Sequence, residues 1–225
     1  MIWVLVLAPA VALLYLRVVR PWQLRWGATD GELARALPGD DLVARPTFDA
    51  TRAVTIDAPS ELVWPWLVQV GLGRAGWYSY DLLDNLGRPS ARTIIPELQD
   101  LKVGDVVPMS PDGRAGPRVL AIDPGRSMVW GAPGEVTWAW VLELSGGSGT
   151  RLLTRIRIRY RWLHPSIAFN LLIEFTDIVM IRRMLLNVKE RAEALWARQR
   201  AAEQTVQDDT DQATTAMPPV PLATG

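Results

Sequence analysis

The sequence predicts an α+β domain in which an antiparallel sheet is covered by one long C-terminal helix. Between Thr51 and Leu86 the chain has the pattern of a strand, two short helices and a glycine-rich turn. From Val103 onward, apolar residues recur at every second position in short runs separated by turns that contain Pro and Gly, which is typical of an antiparallel meander. From Ile167 to about Arg200 the apolar spacing is that of a helix.

The stretch from Thr51 to Leu86 is the part around which the predicted fold is organised. Apolar and polar residues alternate over Thr51–Asp57, which predicts a strand, and Pro59 suits the first turn of the helix that follows. The glycines of the GLGRAG stretch at 71–76 end that helix. Tyr78–Leu86 predicts a second short helix with its leucines inward, and Gly87 is a natural C-cap for it.

The later strands have two chemically different faces. The candidate strands are Val103–Met109, Arg118–Ile122, Ser127–Gly131, Glu135–Leu144 and Thr150–Trp162. In the last strand one face carries aliphatic and aromatic residues, and the other carries Arg151, Arg155, Arg157, Arg159 and Arg161. We expect the apolar face to point inward, because burying a row of unpaired guanidinium groups is more costly than exposing the rings.

Composition excludes several classes of site. The 225 residues contain no cysteine and one histidine, so disulfides, thiolate zinc sites and sites with several histidine ligands are excluded. We therefore predict no metal and no cofactor. The formal net charge is zero, and no strongly basic region indicates a nucleic-acid partner. The chain has eleven tryptophans, which favours a large aromatic pocket, contacts at a membrane interface, or both.

The N-terminal segment predicts a membrane anchor. Ile2–Leu16 is uncharged and would reach roughly 22 Å as a helix, against about 30 Å of bilayer hydrocarbon. Arg17 and Arg20 follow the run and Trp22 suits the interface, so the positive-inside rule predicts a single-pass protein of the cell membrane with a cytoplasmic main domain. A cleaved signal peptide and a buried or peripheral helix are alternatives, although no positive region precedes the run.

The predicted organisation has four parts. Residues 1–26 form the anchor and its interfacial flank, residues 27–48 form a polar lead-in segment, and residues 49–202 form the main domain. Residues 203–225 form an acidic tail that is rich in Thr, Asp and Pro and is expected to be disordered.

Three stretches resemble a known superfamily. They are TIDAPSELVWPWLVQVG at 55–71, GRAGWYSYDLLDNL at 73–86 and MLLNVKERAEAL at 184–195. With the element order, they resemble the helix-grip fold of the START/Bet v1-like superfamily, also called SRPBCC or polyketide cyclase-like. RPWQLRWGATDGELARALPGD at 20–40, after a hydrophobic segment, resembles an actinobacterial branch of it. The resemblance covers roughly residues 20–200. It implies a curved sheet wrapped around the terminal helix with a hydrophobic cavity between them, and no single chemistry.

Eight residues are candidates for contact with a ligand. They are Trp77, Tyr78, Tyr80, Trp130, Trp138, Trp140, Tyr160 and Asp177. The alternative for the aromatic residues is that they fill a solid core. Glu174 and Asp177 share one face of an apolar stretch of helix, where they could anchor a ligand or transfer a proton. The alternative is that they face solvent or pair with an arginine of the sheet.

A second predicted surface faces a membrane. The arginines of the last strand outnumber the acids on its neighbour, Glu135 and Glu143, so cross-strand pairing leaves positive charge unmatched. We therefore expect this face to lie on anionic headgroups. The predicted membrane-surface residues are Arg17, Arg20, Trp22, Arg155, Arg157 and Arg159.

The predicted function is membrane-tethered binding of a hydrophobic small molecule or lipid, for sequestration or transfer, and no residue is assigned as catalytic. One alternative is a cyclase/dehydratase-like enzyme using Asp177 or Glu174 with Tyr78 or Tyr160. Another is a membrane-associated interaction protein with no ligand, its interior filled by tryptophans. The sequence indicates neither the ligand nor the oligomeric state.

Overall fold

A computed structural model of the chain describes residues 13–160 and 167–216, with side chains in the second range placed for 176–208 and 210. One five-stranded sheet has the order β1-β5-β4-β3-β2, with every neighbouring pair antiparallel. The strands are β1 Phe48–Ile56, β2 Arg118–Asp123, β3 Ser127–Ala132, β4 Val136–Ser145 and β5 Gly149–Ile158. The predicted antiparallel meander is confirmed for β2 to β5.

One predicted strand is wrong. Within Val103–Met109, the structure has only a single bridge, between Val106 and Arg118. Gly104 has a φ of 97°, and Pro108 has no N–H to donate, so a regular ladder cannot continue through this stretch. The stretch runs beside β2 as an irregular segment instead.

The helices are mostly short. They are α1 Arg20–Leu24, α2 Asp30–Ala34, α3 Ser60–Val68, α4 Asp81–Asp84 and α5 Ile167–Ala216, with a π-helix at Tyr15–Val19 and 3₁₀ turns at Asp40–Val43 and Pro96–Leu98. α4 is shorter than the predicted helix over Tyr78–Leu86. Both end residues of that prediction have positive φ, 47° and 53°, which a right-handed helix does not allow.

The main core lies between the inner face of the sheet and helices α3 and α5. Ile56, Trp66, Leu152, Leu185 and Val188 are all exposed by 2% or less. The buried face of α5 follows the helical period through Ile181, Met184, Leu185, Val188 and Ala192. The predicted α+β architecture, an antiparallel sheet with one long C-terminal helix, is therefore confirmed.

Polar contacts also hold α5 in place. The Asn187 amide donates to the carbonyl oxygen of Tyr78 at 2.7 Å, and the Arg191 Nε donates to that of Ala91 at 3.0 Å. The Lys189 Nζ donates to the carbonyl oxygen of Thr55 at 2.7 Å. The helix is thus tied both to β1 and to the segment that contains α4.

The lead-in segment, residues 27–48, covers the outer face of the sheet. Leu37 packs there with Ala53 of β1, Val141 of β4 and Leu153 of β5 in a second apolar cluster. Gly27 allows the close crossing, because its φ is 74° and a Cβ there would lie 2.1 Å from the Ala53 carbonyl oxygen. As a result, β5 is buried on both of its faces.

The lead-in segment also encloses the guanidinium group of Arg155, which is 5% exposed. All three of its nitrogens donate hydrogen bonds. The acceptors are Thr51 Oγ1 (2.7 Å), Asp40 Oδ2 (2.6 Å) and the carbonyl oxygens of Arg35 (2.9 Å), Glu32 (2.8 Å) and Leu33 (3.1 Å). A buried cation is tolerated when it is paired and its donors are satisfied, and both conditions are met here.

This arrangement corrects the predicted membrane surface. Arg155 and Arg157 are covered by the lead-in segment, and the Arg157 Nη1 donates to the Asp40 carbonyl oxygen at 2.7 Å. Arg159 is exposed, as are Arg17 and Trp22, whereas Arg20 is half-buried. The arginines do not use the alternative partner Glu143 either, because Glu143 pairs with Arg35 of the lead-in segment at 2.7 Å. Their acidic partners are Glu32 and Asp40 of the lead-in segment and Asp49 of β1, all far away in the sequence.

The predicted single-pass membrane localisation is wrong. Among residues 13–160 and 167–216, no helix combines the length and the apolar character needed to cross a bilayer. Most of the predicted anchor, residues 1–12, lies outside the described residues. The part that follows packs on the domain, since Gln23 is buried and its carbonyl oxygen accepts from the Arg52 Nε at 2.9 Å.

The C-terminal part also differs from the prediction. α5 continues to Ala216, through residues 203–216, where the sequence predicts disorder. The residues just after Arg200 (AAEQ) are mostly good helix formers, so a polar composition does not by itself end the helix. Residues 217–225 lie outside the described residues.

Replacing Arg155 tests the importance of the covered guanidinium. Arg155→Met removes the cation, takes one partner from Asp40 and leaves three buried carbonyl oxygens without this donor, so we expect the free energy of unfolding to fall by about 3–5 kcal/mol. The matched control is Arg159→Met, an exposed site just after the same strand, which should change stability by less than about 0.5 kcal/mol. Urea denaturation measures both, and equal effects would contradict the role given to Arg155.

Candidate functional site

A pocket of about 820 Å³ opens at one end of the sheet, beside α5. Its walls come from the α4 region, the loop from Met109 to Pro117, the β3–β4 hairpin and α5. The apolar lining residues include Leu72, Trp77, Leu83, Leu86, Met109, Leu120, Val136, Trp138, Ile156, Met180, Ile181 and Met184. The polar side chains in the lining belong to Ser79, Asp84, Arg118, Thr176 and Asp177. The pocket therefore combines a mainly apolar wall with a few polar groups, which is the usual composition of a small-molecule site.

Two of the predicted aromatic residues form part of this wall. Trp77 and Trp138 are stacked with ring centroids 5.8 Å apart. The Trp77 Nε1 donates to the Pro108 carbonyl oxygen at 3.1 Å, and the Trp138 Nε1 donates to Thr154 Oγ1 at 2.7 Å. Because both ring N–H groups have partners in the protein, a ligand meets only the apolar parts of these rings.

Trp130 and Trp140 lie behind the wall rather than in it. Both are fully buried, and their ring centroids are 5.3 Å apart. Trp130 also meets Trp77 and Trp138 edge to face, at 6.2 and 5.5 Å. These two tryptophans fill the core, which is the alternative considered for them, and they support the rings that line the pocket.

The three predicted tyrosines do not line the pocket. Tyr78 is fully buried, its hydroxyl accepts from the Gln69 Nε2 at 2.8 Å, and burial raises its pKa to about 12. Tyr160 stacks on Phe48 in a separate cluster with a centroid distance of 6.4 Å, and Tyr80 is 42% exposed beside α4. The catalytic alternative therefore loses both of its proposed tyrosines, and the side chain of Glu174 lies outside those described.

Asp177 lines the pocket and also pairs with an arginine of the sheet. Its Oδ2 lies 2.5 Å from Arg52 Nη1, on the inner face of β1. The Arg52 side chain is 1% exposed, and burial lowers the pKa of its guanidinium, while the charge of Asp177 opposes that shift. The pair joins β1 to α5 at the edge of the pocket.

Sequence analysis missed the second carboxyl group, that of Asp84. Ser79 donates a short hydrogen bond to Asp84 Oδ2. Burial raises the pKa of Asp84 to about 6, the backbone N–H of Tyr80 opposes the shift, and the nearby charge of Asp81 adds to it. The helical pattern predicts the leucines of this stretch inward, but Leu82 is 78% exposed. Because the chain leaves helical geometry on both sides of α4, the stretch is rotated and Asp84 faces the pocket.

Neither a protein-family model nor a curated protein sequence matches this chain. Solved structures that are similar include three bacterial proteins. A polyketide cyclase-like protein of Corynebacterium glutamicum is 18% identical, with 63% of this chain and 88% of that chain covered and a TM-score of 0.40. A protein of Nitrosomonas europaea is 16% identical, with 66% and 96% covered and a TM-score of 0.40. CalU16 of Micromonospora echinospora is 19% identical, with 67% and 86% covered and a TM-score of 0.30.

The chain has the helix-grip architecture, an antiparallel sheet with one long C-terminal helix, that its sequence resemblance implies. The assignment rests on the chain's own element order: a first strand, short helices, a four-stranded meander that returns to that strand, and a long terminal helix. The similar structures transfer no activity to this chain, since this architecture is compatible with many functions.

The raised pKa of Asp84 makes a prediction about stability and pH. Because the folded-state pKa, about 6, lies above the ordinary value of 3.8, ionisation of Asp84 destabilises the folded state as the pH rises through this window. Asp84→Asn removes that titration. The free energy of unfolding of the variant minus that of the wild type should therefore be larger at pH 7 than at pH 4. Urea denaturation at both pH values measures this difference. A stability difference that does not change with pH would contradict the assignment.

The pair of Arg52 and Asp177 makes a second prediction. Asp177→Leu leaves the buried Arg52 cation without this carboxylate, and we expect a loss of about 3–5 kcal/mol in the free energy of unfolding. The double variant Arg52→Met/Asp177→Leu removes both charges and should recover most of that loss. A double-mutant cycle with Arg52→Met as the other single variant measures the coupling. If the losses of the two single variants add up to the loss of the double variant, the two residues are not coupled.

Proposed function

We propose that this protein binds an apolar small molecule, a lipid among the candidates, and sequesters or transfers it. The single observation that carries the proposal is the pocket that remains after the tryptophans have packed. A volume of about 820 Å³ falls in the range of roughly 300–1,000 Å³ that is typical of ligand pockets. An interior filled by tryptophans, which the alternative without a ligand requires, would leave no such space.

The pocket lining supplies the driving force for binding. Apolar surface removed from water contributes about 25 cal/mol per Å² before the costs of association. A ligand that buries roughly 200 Å² of apolar surface would gain about 5 kcal/mol on this scale. The stacked rings of Trp77 and Trp138 offer a flat, pre-formed surface of this kind, with their N–H groups already bonded.

The pocket has an apolar rim through which such a ligand could enter. Leu83 and Leu86 of the α4 region are 66% and 60% exposed, and Met109 on the neighbouring loop is 49% exposed. All three also belong to the lining. A continuous apolar path from the surface to the interior supports reversible entry and release, and binding is favoured over catalysis because neither proposed tyrosine reaches the pocket.

Filling the pocket tests the proposal. Val136→Trp adds a large side chain to the lining and should weaken binding of the neutral fluorescent probe N-phenyl-1-naphthylamine at least tenfold. Leu144→Trp is the matched control, because it lies on the same strand but is 87% exposed. Probe fluorescence excited through the tryptophans measures binding, and circular dichroism checks that both variants fold. Equal affinity in the two variants, or no binding to the wild type, would overturn the proposal.

A further inference from the structure

Asp84 is a pocket carboxyl group that forms no salt bridge with any of the described residues. Within the part of the chain that the structure describes, no arginine or lysine side chain lies within 4 Å of its carboxylate, and its side-chain hydrogen bond comes from the Ser79 hydroxyl. The other pocket carboxyl group, that of Asp177, has Arg52 at 2.5 Å. The two pocket carboxyl groups are therefore electrostatically different.

The remaining charges around the pocket do not neutralise Asp84. Arg118 is the basic residue among the described lining residues, and its Nη1 donates to the Gly104 carbonyl oxygen at 3.0 Å. Asp81, in the same short helix, adds negative charge, as does Asp177 from α5, although Arg52 offsets the latter. The charge that acts on the Asp84 carboxyl group is therefore the negative charge of Asp81, which raises its pKa.

Resting on the proposed function, we propose that the ligand is an apolar molecule that carries one protonated amine, and that the amine binds the carboxylate of Asp84. An ionised carboxylate only accepts hydrogen bonds, and an ammonium group donates up to three. The Ser79 hydroxyl is already committed, since it donates to Asp84 while its oxygen accepts from the backbone N–H of Tyr80 at 2.5 Å. The free acceptor positions in this corner therefore belong to Asp84.

Charge distinguishes an amine from the other polar groups that an apolar ligand could carry. A carboxylate or phosphate placed beside Asp84 would be repelled by it, and the Arg52 guanidinium is already paired with Asp177. A hydroxyl could bond to Asp84 but would gain no charge–charge attraction. A charge-assisted hydrogen bond is roughly twice as strong as a neutral one, and the apolar surroundings of the pocket reduce screening by water.

Two matched probes test the inference on the full chain. We would measure displacement of N-phenyl-1-naphthylamine by 4-hexylbenzylamine and by 4-hexylbenzyl alcohol, which share the same apolar body. At pH 7.5 the amine should bind the wild type about tenfold more tightly than the alcohol. In Asp84→Asn this preference should be lost through weaker amine binding, with the alcohol unaffected. Asp123→Asn, an exposed carboxyl site on β2, should keep the preference.

The pH supplies an independent readout. Because the amine needs an ionised carboxylate, its preference over the alcohol should shrink from pH 7.5 to pH 5 in the wild type and stay constant in Asp84→Asn. If the alcohol binds but the amine is not preferred, or if the preference survives in Asp84→Asn, the amine assignment is overturned while apolar binding stands. If neither compound nor the fluorescent probe binds, both the assignment and the proposed function fail.

Discussion

The burial of Arg155 between the sheet and the lead-in segment is the interaction on which the rest of the fold depends. A guanidinium group in the middle of a sheet face must be either solvated or fully bonded, and here it is fully bonded by Thr51, Asp40 and three backbone carbonyl groups. Those carbonyl groups can serve as acceptors only when the lead-in segment is docked. The cation therefore determines where this segment lies, and the docked segment in turn buries the outer face of β5 with the Leu37 cluster.

A second arginine, Arg52, acts on the opposite face of β1. It joins the carbonyl oxygen of Gln23 to Asp177 of α5, so that the N-terminal helices, the first strand and the terminal helix meet at one buried cation. Buried ion pairs of this kind are weak sources of stability but strong constraints on geometry, since breaking one leaves an unpaired charge. The same constraint positions the wall of α5 that faces the pocket, because Asp177 belongs to that wall.

The candidate site follows from how the α4 region is attached. Its flanks are held by Asn187 and Arg191 of α5, and its two positive-φ residues prevent the helix from extending. The outcome is a short, rotated segment whose leucines form an exposed rim and whose Asp84 faces inward. A mainly apolar pocket, with a carboxyl group that no described arginine or lysine pairs with, is thus a consequence of local backbone geometry, and it gives the site its chemical character.

The sequence by itself determined strands β2 to β5, most of their inward faces, the long helix and the overall architecture, because alternation and helical period are local properties that report burial directly. It also predicted Trp77, Trp138 and Asp177 as ligand-contact residues, and all three line the pocket. Only the tertiary structure decided what covers the arginines of β5, because Asp40 pairs with Arg155 across 115 positions of the chain. Only the tertiary structure likewise decided that Trp130 and Trp140 lie behind the pocket wall, because residues on one inward face of a sheet can either line a pocket or fill the core behind it. Asp84 was missed because its orientation depends on two backbone angles that a helical pattern does not reveal. The membrane prediction was wrong because an apolar run and flanking arginines are compatible with several environments, and the neighbours of those residues are set only by the folded chain.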